Sequence, residues 1–389
     1  MSSHGQAAAL GGRFWSPGTW LALGLMAVAG AFILARYSGG LAAVTNLTNA
    51  YPWGIWIAID VASGVALAAG GFTTAALVYI FGCRRYAPVT RGALLTALLG
   101  YIFVTLALVV DIGRSWAIWH PLIYWNPHSV LFEVAMCVMT YTTVLILEFV
   151  PVAGEGLGEK WPWLGTIGQR LEKIMWVLII AGVVLSCMHQ SGLGSLMLIA
   201  PTKVHPLWYT PILPLLFLSS AVAAGLPMVI LEHSFAAKAF ALEHTDEQMW
   251  QGLARIAALL LGIYAALKLG DMLVRGTYTW LGDGSVASRA FIVELIGGVI
   301  VPLVMLLIPG VRRSPRWRFV ASLLVVGGVL LNRINVFLVG FNPPYPGRGY
   351  FPSVGEMAVT AGMIAAIAFF YKLAVWALPV LSPGGKEGR

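Results

Sequence analysis

The sequence predicts an all-α polytopic membrane protein of about ten transmembrane helices. Two observations carry this. Of the 389 residues, 59% are hydrophobic and only 10% are charged, whereas a soluble domain averages about 25% charged. So little polar surface cannot enclose a core of that size, and the bilayer must be the solvent. In addition, apolar runs of about 20 residues, long enough to cross the hydrocarbon, recur near 17–37, 54–81, 93–117, 129–151, 170–191, 210–235, 251–275, 286–309, 318–341 and 353–379. Glycine and proline punctuate the links, as in "SGG", "NPPYPG" and "GVRRSPR".

The first run follows "MSSHGQAAALGGRFWSPG" and has no A-x-A-like cleavage site after it, so it reads as a retained helix. The basic residues set the orientation. With the N-terminus inside, the inner loops collect Arg13, Arg84, Arg85, Arg91, Lys160, Arg170, Lys173, Lys238, Arg255, Arg312, Arg313, Arg316, Arg318, Lys372, Lys386 and Arg389. The positive-inside rule then places both termini in the cytoplasm. The net charge of +8 is accounted for by this asymmetry. The basic residues are spread over short inner loops, which argues against nucleic acid. The opposite face carries "NAYPWG", "WHPLIYWNPHS", "SGLGSLMLIAPTKVHPLWYT" and "FNPPYPGRGYFP". These Pro- and aromatic-rich loops suit a stiff platform for a partner, or interfacial anchors.

Ionisable residues inside spans are costly, roughly 2.5–3.5 kcal/mol each on insertion scales, and mark function by default. Asp60 sits about two turns into the second run, and Asp111 and Arg114 lie i, i+3 near the outer end of the third, where they can pair. His128 and Glu133 flank the outer start of the fourth run, which carries Glu148 near its inner end. Those two glutamates fall about 60° apart around the helix and about 22 Å apart along it. Cys137, Thr140 and Val144 lie on the same stripe, which suggests a proton route from the cytoplasmic side through Glu148 and Thr140 to Glu133. His189 ends the fifth run. Lys268 and Asp271 form another i, i+3 pair in the seventh, and Arg333 in the ninth faces Glu356 in the tenth across a loop. These last two pairs read as structural. Asp60, Glu133 and His189 have no neutralising neighbour in sequence, so a polar cavity is expected around some of them. The three cysteines, Cys83, Cys137 and Cys187, are too dispersed for an iron–sulfur or zinc framework, so no metal is expected.

The segments "YPWGIWIAIDVASG" (51–64), "DIGRSW" (111–116), "NPHSVLFEVAMCVMTY" (126–141), "LEFVP" (147–151), "MHQSGLGSLM" (188–197), "KVHPLW" (203–208) and "YFPSVGE" (350–356) resemble HybB-type membrane subunits of periplasm-facing [NiFe]-hydrogenases, in the NrfD/PsrC family of quinone-reactive subunits. The resemblance runs along most of the chain. It implies two four-helix bundles, helices 2–5 (54–191) and 6–9 (210–341), with flanking helices, in one integral domain of the bacterial inner membrane. It also implies a menaquinone site near the periplasmic face of the first bundle, no haem, and partnership with a ferredoxin-like [4Fe-4S] subunit and the hydrogenase large and small subunits.

Quinone reduction takes two electrons and two protons. Electrons must come from a partner, and protons need titratable groups at the headgroup. Glu133 is the expected proton donor, with Asp111 and Arg114 setting the local field. Asp60, His189, Trp53 and His128 are the expected headgroup residues. Two other classes stay open at this point: a haem b cytochrome, which needs histidine ligands such as His128 and His189 on facing helices, and a proton-coupled transporter without redox chemistry.

Overall fold

A computed structural model describes residues 9–11, 14–199, 201–240, 246–345 and 349–381. Ten helices in it are long and apolar enough to cross a membrane: α1 (Pro17–Gly39), α2 (Trp56–Ile80), α3 (Arg84–Asp111), α4 (Val130–Leu157), α5 (Met175–Leu198), α6 (Leu213–Phe240), α7 (Glu247–Val274), α8 (Val286–Leu307), α9 (Pro315–Val339) and α10 (Val354–Ala377). Among the described residues, only an isolated bridge, Val204 to Phe341, departs from helix and loop. The expected basic residues Arg13, Lys386 and Arg389 lie outside the described residues.

Polar residues at the helix starts explain where the helices begin. Ser16, Ser129, Asp246 and Ser285 accept backbone N–H bonds as N-caps of α1, α4, α7 and α8. Ser353 and Glu356 form a reciprocal capping box on α10. In hydrocarbon an unpaired backbone group has no water to turn to, so these caps sit at the rims of the spans.

The spans α2–α5 pack around one another as one bundle, and α6–α9 as a second, joined where α6 meets α2 and α5. α1 and α10 pair with each other and lie against α2 and α3. In the second bundle α8 and α9 meet backbone to backbone, because Gly298 and Gly328 face each other with no room for a Cβ on either. Leu10, ahead of α1, donates its N–H to Val375 O near the end of α10 at 3.3 Å. The face holding them is called the terminal face below, and the other the loop face. A short surface helix, Pro162–Glu172, lies on the terminal side of α4, with Gly168 against the Pro151 backbone.

Candidate functional site

Three buried polar clusters stand out, and each draws on several helices. The first lies about two turns or less below the loop face. The start of α2 is wound as a wider π-helical stretch, Trp56–Ser63, which turns Asp60 into the protein. Asp60 is buried and accepts a bond from Thr360 Oγ1 of α10 at 2.8 Å. Asp111 ends α3 within electrostatic reach of Asp60, Glu356 and Arg36. Arg36 of α1 is buried and donates to Val110 O at 2.8 Å and Ile112 O at 2.5 Å, which clamps the end of α3. Glu356, fully buried, accepts from Tyr350 Oη at 2.5 Å, Asn46 N at 3.0 Å and Ser353 N at 2.9 Å. Tyr350 lies in the loop before α10, where burial and the Glu356 carboxylate both push its pKa up. The cluster thus collects three carboxyls and one guanidinium.

The second cluster lies at mid-depth in the first bundle. His189 is fully buried on α5; its Nδ1 donates to Leu185 O at 2.8 Å, which leaves Nε2 to accept from the Tyr101 hydroxyl of α3. Tyr101 stands edge-on to Tyr141 of α4, with ring centroids 4.6 Å apart. Tyr141 and Glu148 both line a cavity of about 220 Å³ that occupies the terminal half of this bundle.

The third cluster is in the second bundle. Glu294 of α8 is fully buried, pairs with Lys268 of α7, and accepts from Asn332 at 2.8 Å, Asn335 at 2.8 Å and Trp208 at 2.9 Å. Arg333 of α9, also fully buried, reaches Asn332 Oδ1 at 2.6 Å and Ser220 Oγ at 2.9 Å and stacks over Phe217 at 3.7 Å.

Several sequence expectations are corrected by these placements. Lys268 pairs with Glu294, not Asp271, which instead holds Thr210 at 2.7 Å and Arg275 at 3.5 Å. Arg333 and Glu356 do not meet; they belong to different clusters. Asp111 and Arg114 form no ion pair: α3 stops at Asp111, the chain turns extended at Ile112, and Arg114 is exposed while Arg36 takes its place. Glu133 and Thr140 are exposed rather than buried. The buried stripe of α4, Cys137, Tyr141, Val144, Leu145 and Glu148, centres about 60° round the helix from Glu133. Glu148 shares that stripe and the other two do not. His128 is exposed in the loop before α4. Trp53 packs edge-on to Phe337 at 5.7 Å, at the seam between bundles. The structure therefore brings together Asp60 and Asp111, sets His189 deeper, and leaves Glu133, Arg114 and His128 on the surface. Arg36, Thr360, Tyr101, Tyr141 and Glu294 escaped the sequence reading. Glu294 in "FIVELIGG" was the visible signal, a lone carboxylate in an apolar run.

The model of the polysulphide reductase NrfD family matches residues 43–343. Among similar proteins, one from Nitratidesulfovibrio vulgaris is 42% identical over 89% of each chain. The probable Ni/Fe-hydrogenase 2 b-type cytochrome subunit of Escherichia coli is 35% identical over 96% of this chain and 95% of its own. The integral membrane subunit of menaquinone reductase from Nitratidesulfovibrio vulgaris is 26% identical over 89% and 87%. The cytochrome designation of the second raises the question of haem b, which takes axial histidines at one depth on facing helices. Among the described residues no such pair forms. His189 has both ring nitrogens engaged, His120 and His128 are exposed in one loop, and His205 lies between α5 and α6. His233 lies about 20 residues down α6, near the terminal face. The described histidines do not fit a bis-histidine haem. The chain belongs to the NrfD family, as a multi-pass membrane subunit of an oxidoreductase complex.

Proposed function

We propose that this chain is the quinone-reactive membrane subunit of a respiratory [NiFe]-hydrogenase complex of the bacterial inner membrane. It takes electrons from a ferredoxin-like [4Fe-4S] subunit docked on the loop face, which is periplasmic, and passes them to menaquinone without a haem of its own. Both termini are then cytoplasmic. The hydrogenase large and small subunits complete the assembly, and membrane lipids surround the spans. The names of the hydrogenase and menaquinone reductase relatives support the reaction. The basic residues of the terminal face support the orientation.

The observation that carries the site is the carboxyl cluster of Asp60, Asp111 and Glu356 under the loop face, beside the expected electron donor. A quinone headgroup needs a hydrogen-bonding acid near a carbonyl oxygen at each reduction. Asp60 supplies it, and Thr360 orients that carboxyl through its hydroxyl. Arg36 stabilises negative charge on Asp111 and holds the end of α3 in place. His189 and the two tyrosines lie at mid-depth, farther from the loop face than the carboxyl cluster, and suit proton supply better than headgroup contact.

In the purified complex, Asp60→Asn is expected to lower hydrogen-driven menaquinone reduction on the order of a hundredfold. Hydrogen oxidation by a soluble dye, which takes electrons upstream, should stay intact. Equal loss in both assays would mean failed assembly, and undiminished quinone reduction would remove Asp60 from the site.

A further inference from the structure

The cavity in the terminal half of the first bundle has a shape that bears on where protons enter. Its mouth is framed by Arg91, two turns into α3, and Glu155 near the end of α4, joined by two bonds of 2.7 Å. Arg91 also donates to Pro379 O at 3.0 Å, tying the C-terminal segment to the same mouth. Inward, the walls are apolar: Phe72, Leu94, Leu145 and Ile179. At the closed end stand Glu148 and Tyr141. Gly182 makes room for both, since a Cβ there would meet Glu148 Oε1 at 3.1 Å and Tyr141 Cε2 at 3.5 Å.

Beyond the closed end the polar groups continue. Tyr141 abuts Tyr101, and Tyr101 bonds His189. Ser186 turns its hydroxyl toward both tyrosines without reaching hydrogen-bonding geometry, and Gln190 Oε1 beside it is likewise unpaired. Both residues are fully buried. Unpaired buried polar atoms around a string of hydroxyls are what bridging waters satisfy. A carboxyl, two phenols and an imidazole, each able to give and take a proton, thus run from the cavity to mid-membrane. Glu133 and Thr140 are not part of this string.

We infer that the cavity is a hydrated, blind proton inlet from the terminal face, gated by the Arg91–Glu155 pair, with Glu148 receiving the proton and Tyr141, Tyr101 and His189 carrying it toward the loop-side carboxyls. This rests on the quinone reading above. Each quinone that takes two electrons from the partner takes two protons, and these enter through Glu148 rather than from the loop face. The gate sits across α3 and α4, so opening it requires the exposed Arg91–Glu155 pair to part and Arg91 to release Pro379 O.

The test has two arms, both on the assembled complex. In the first, Cys83, Cys137 and Cys187 are replaced by serine and Ala75, in the cavity wall, is replaced by cysteine. A membrane-impermeant cationic thiosulfonate added from the terminal face should label it. Removing the gate with Arg91→Met should raise the labelling rate about fivefold, the scale of one well-formed exposed ion pair. Labelling only by a lipid-soluble maleimide would show an apolar occupant such as an acyl or isoprenoid chain and would overturn the inlet. In the second arm, complexes in liposomes with the terminal face inward and a pH dye inside reduce menaquinone with hydrogen. Wild type should alkalinise the lumen while valinomycin and potassium ions hold the membrane potential near zero. Glu148→Gln should slow that uptake on the order of a hundredfold, while the dye assay for hydrogen oxidation stays at the wild-type rate. Quinone reduction without lumenal uptake would refute the inlet yet leave the quinone site standing. No quinone reduction by wild type would refute the quinone site itself.

Discussion

The ion pair of the second bundle gives the sharpest energetic expectation. Lys268→Met keeps the length of the side chain and removes its charge. Glu294 is then left fully buried with three neutral donors, Asn332, Asn335 and Trp208. Breaking one side of a buried pair costs about 3–5 kcal/mol, since the remaining charge stays uncompensated. That corresponds to a rise of roughly 150- to 5000-fold in the unfolded population. Cys137, 5% exposed on α4, reports it from the other bundle. With Cys83 and Cys187 changed to serine, modification of Cys137 by a thiol-reactive dye in mild detergent should speed up by at least a hundredfold in Lys268→Met. The double variant Lys268→Met, Glu294→Gln keeps an acceptor for the three neutral donors and should recover at least half of that loss on a logarithmic scale. If Lys268→Met labels within twofold of the parent, or the double variant labels faster than the single, the reasoning about an uncompensated charge is wrong.

Two further outcomes follow from the same structure. The dithionite-reduced absorption spectrum of the purified chain should lack a haem b band, and a stoichiometric band that disappears in His189→Ala would overturn the account of His189 as a relay group. His205, in the link before α6, has its pKa lowered below the ordinary 6.5 by burial, partly offset by Asp283, and its Nδ1 accepts from Leu207 N at 3.3 Å. The unfolded link binds the proton more readily, so stability is lost as pH falls through about 6.5. The protection factors across 201–212, with the intrinsic pH dependence of amide exchange divided out, should therefore be lower at about pH 5 than at about pH 8, and the difference should shrink in His205→Gln.

Much of the fold was legible because hydrocarbon imposes a length and a composition on each span, and the ten runs follow from that alone. Ends shifted wherever polar residues share the interface: α3 begins at Arg84 instead of near residue 93, because "RRYAPV" winds as a tight turn that runs into the helix. The clusters were harder. Spacing of i, i+3 put Lys268 beside Asp271, but the lysine's partner is 26 residues away on the next helix. Asp60 and Thr360 are 300 residues apart, and no local pattern reports such a contact. The Glu133–Thr140–Glu148 stripe failed for a different reason. Sixty degrees of helix is enough to separate a lipid-facing edge from a bundle interior, and periodicity without a known neighbour does not say which side is which. Tyr101 and Tyr141 carry no local signal of their own; it is the packing of three helices that sets them beside a histidine.

The packing of α10 against α2 and α3 reverses the order in which the chain is made. Ribosomal synthesis delivers Asp60, Asn46 and Trp56 first and Thr360, Glu356 and Tyr350 last. Until α10 inserts, Asp60 lacks its hydroxyl donor, the indole of Trp56 lacks the Glu356 carbonyl at 3.1 Å, and Ile55 N lacks the Tyr350 oxygen at 3.0 Å. Each such orphan in an apolar setting costs about 1–3 kcal/mol. A nascent chain stalled short of its final span thus exposes an unfinished seam along α2 and α3. Insertion of α10 closes that seam, joining the latest-made of these residues to the earliest.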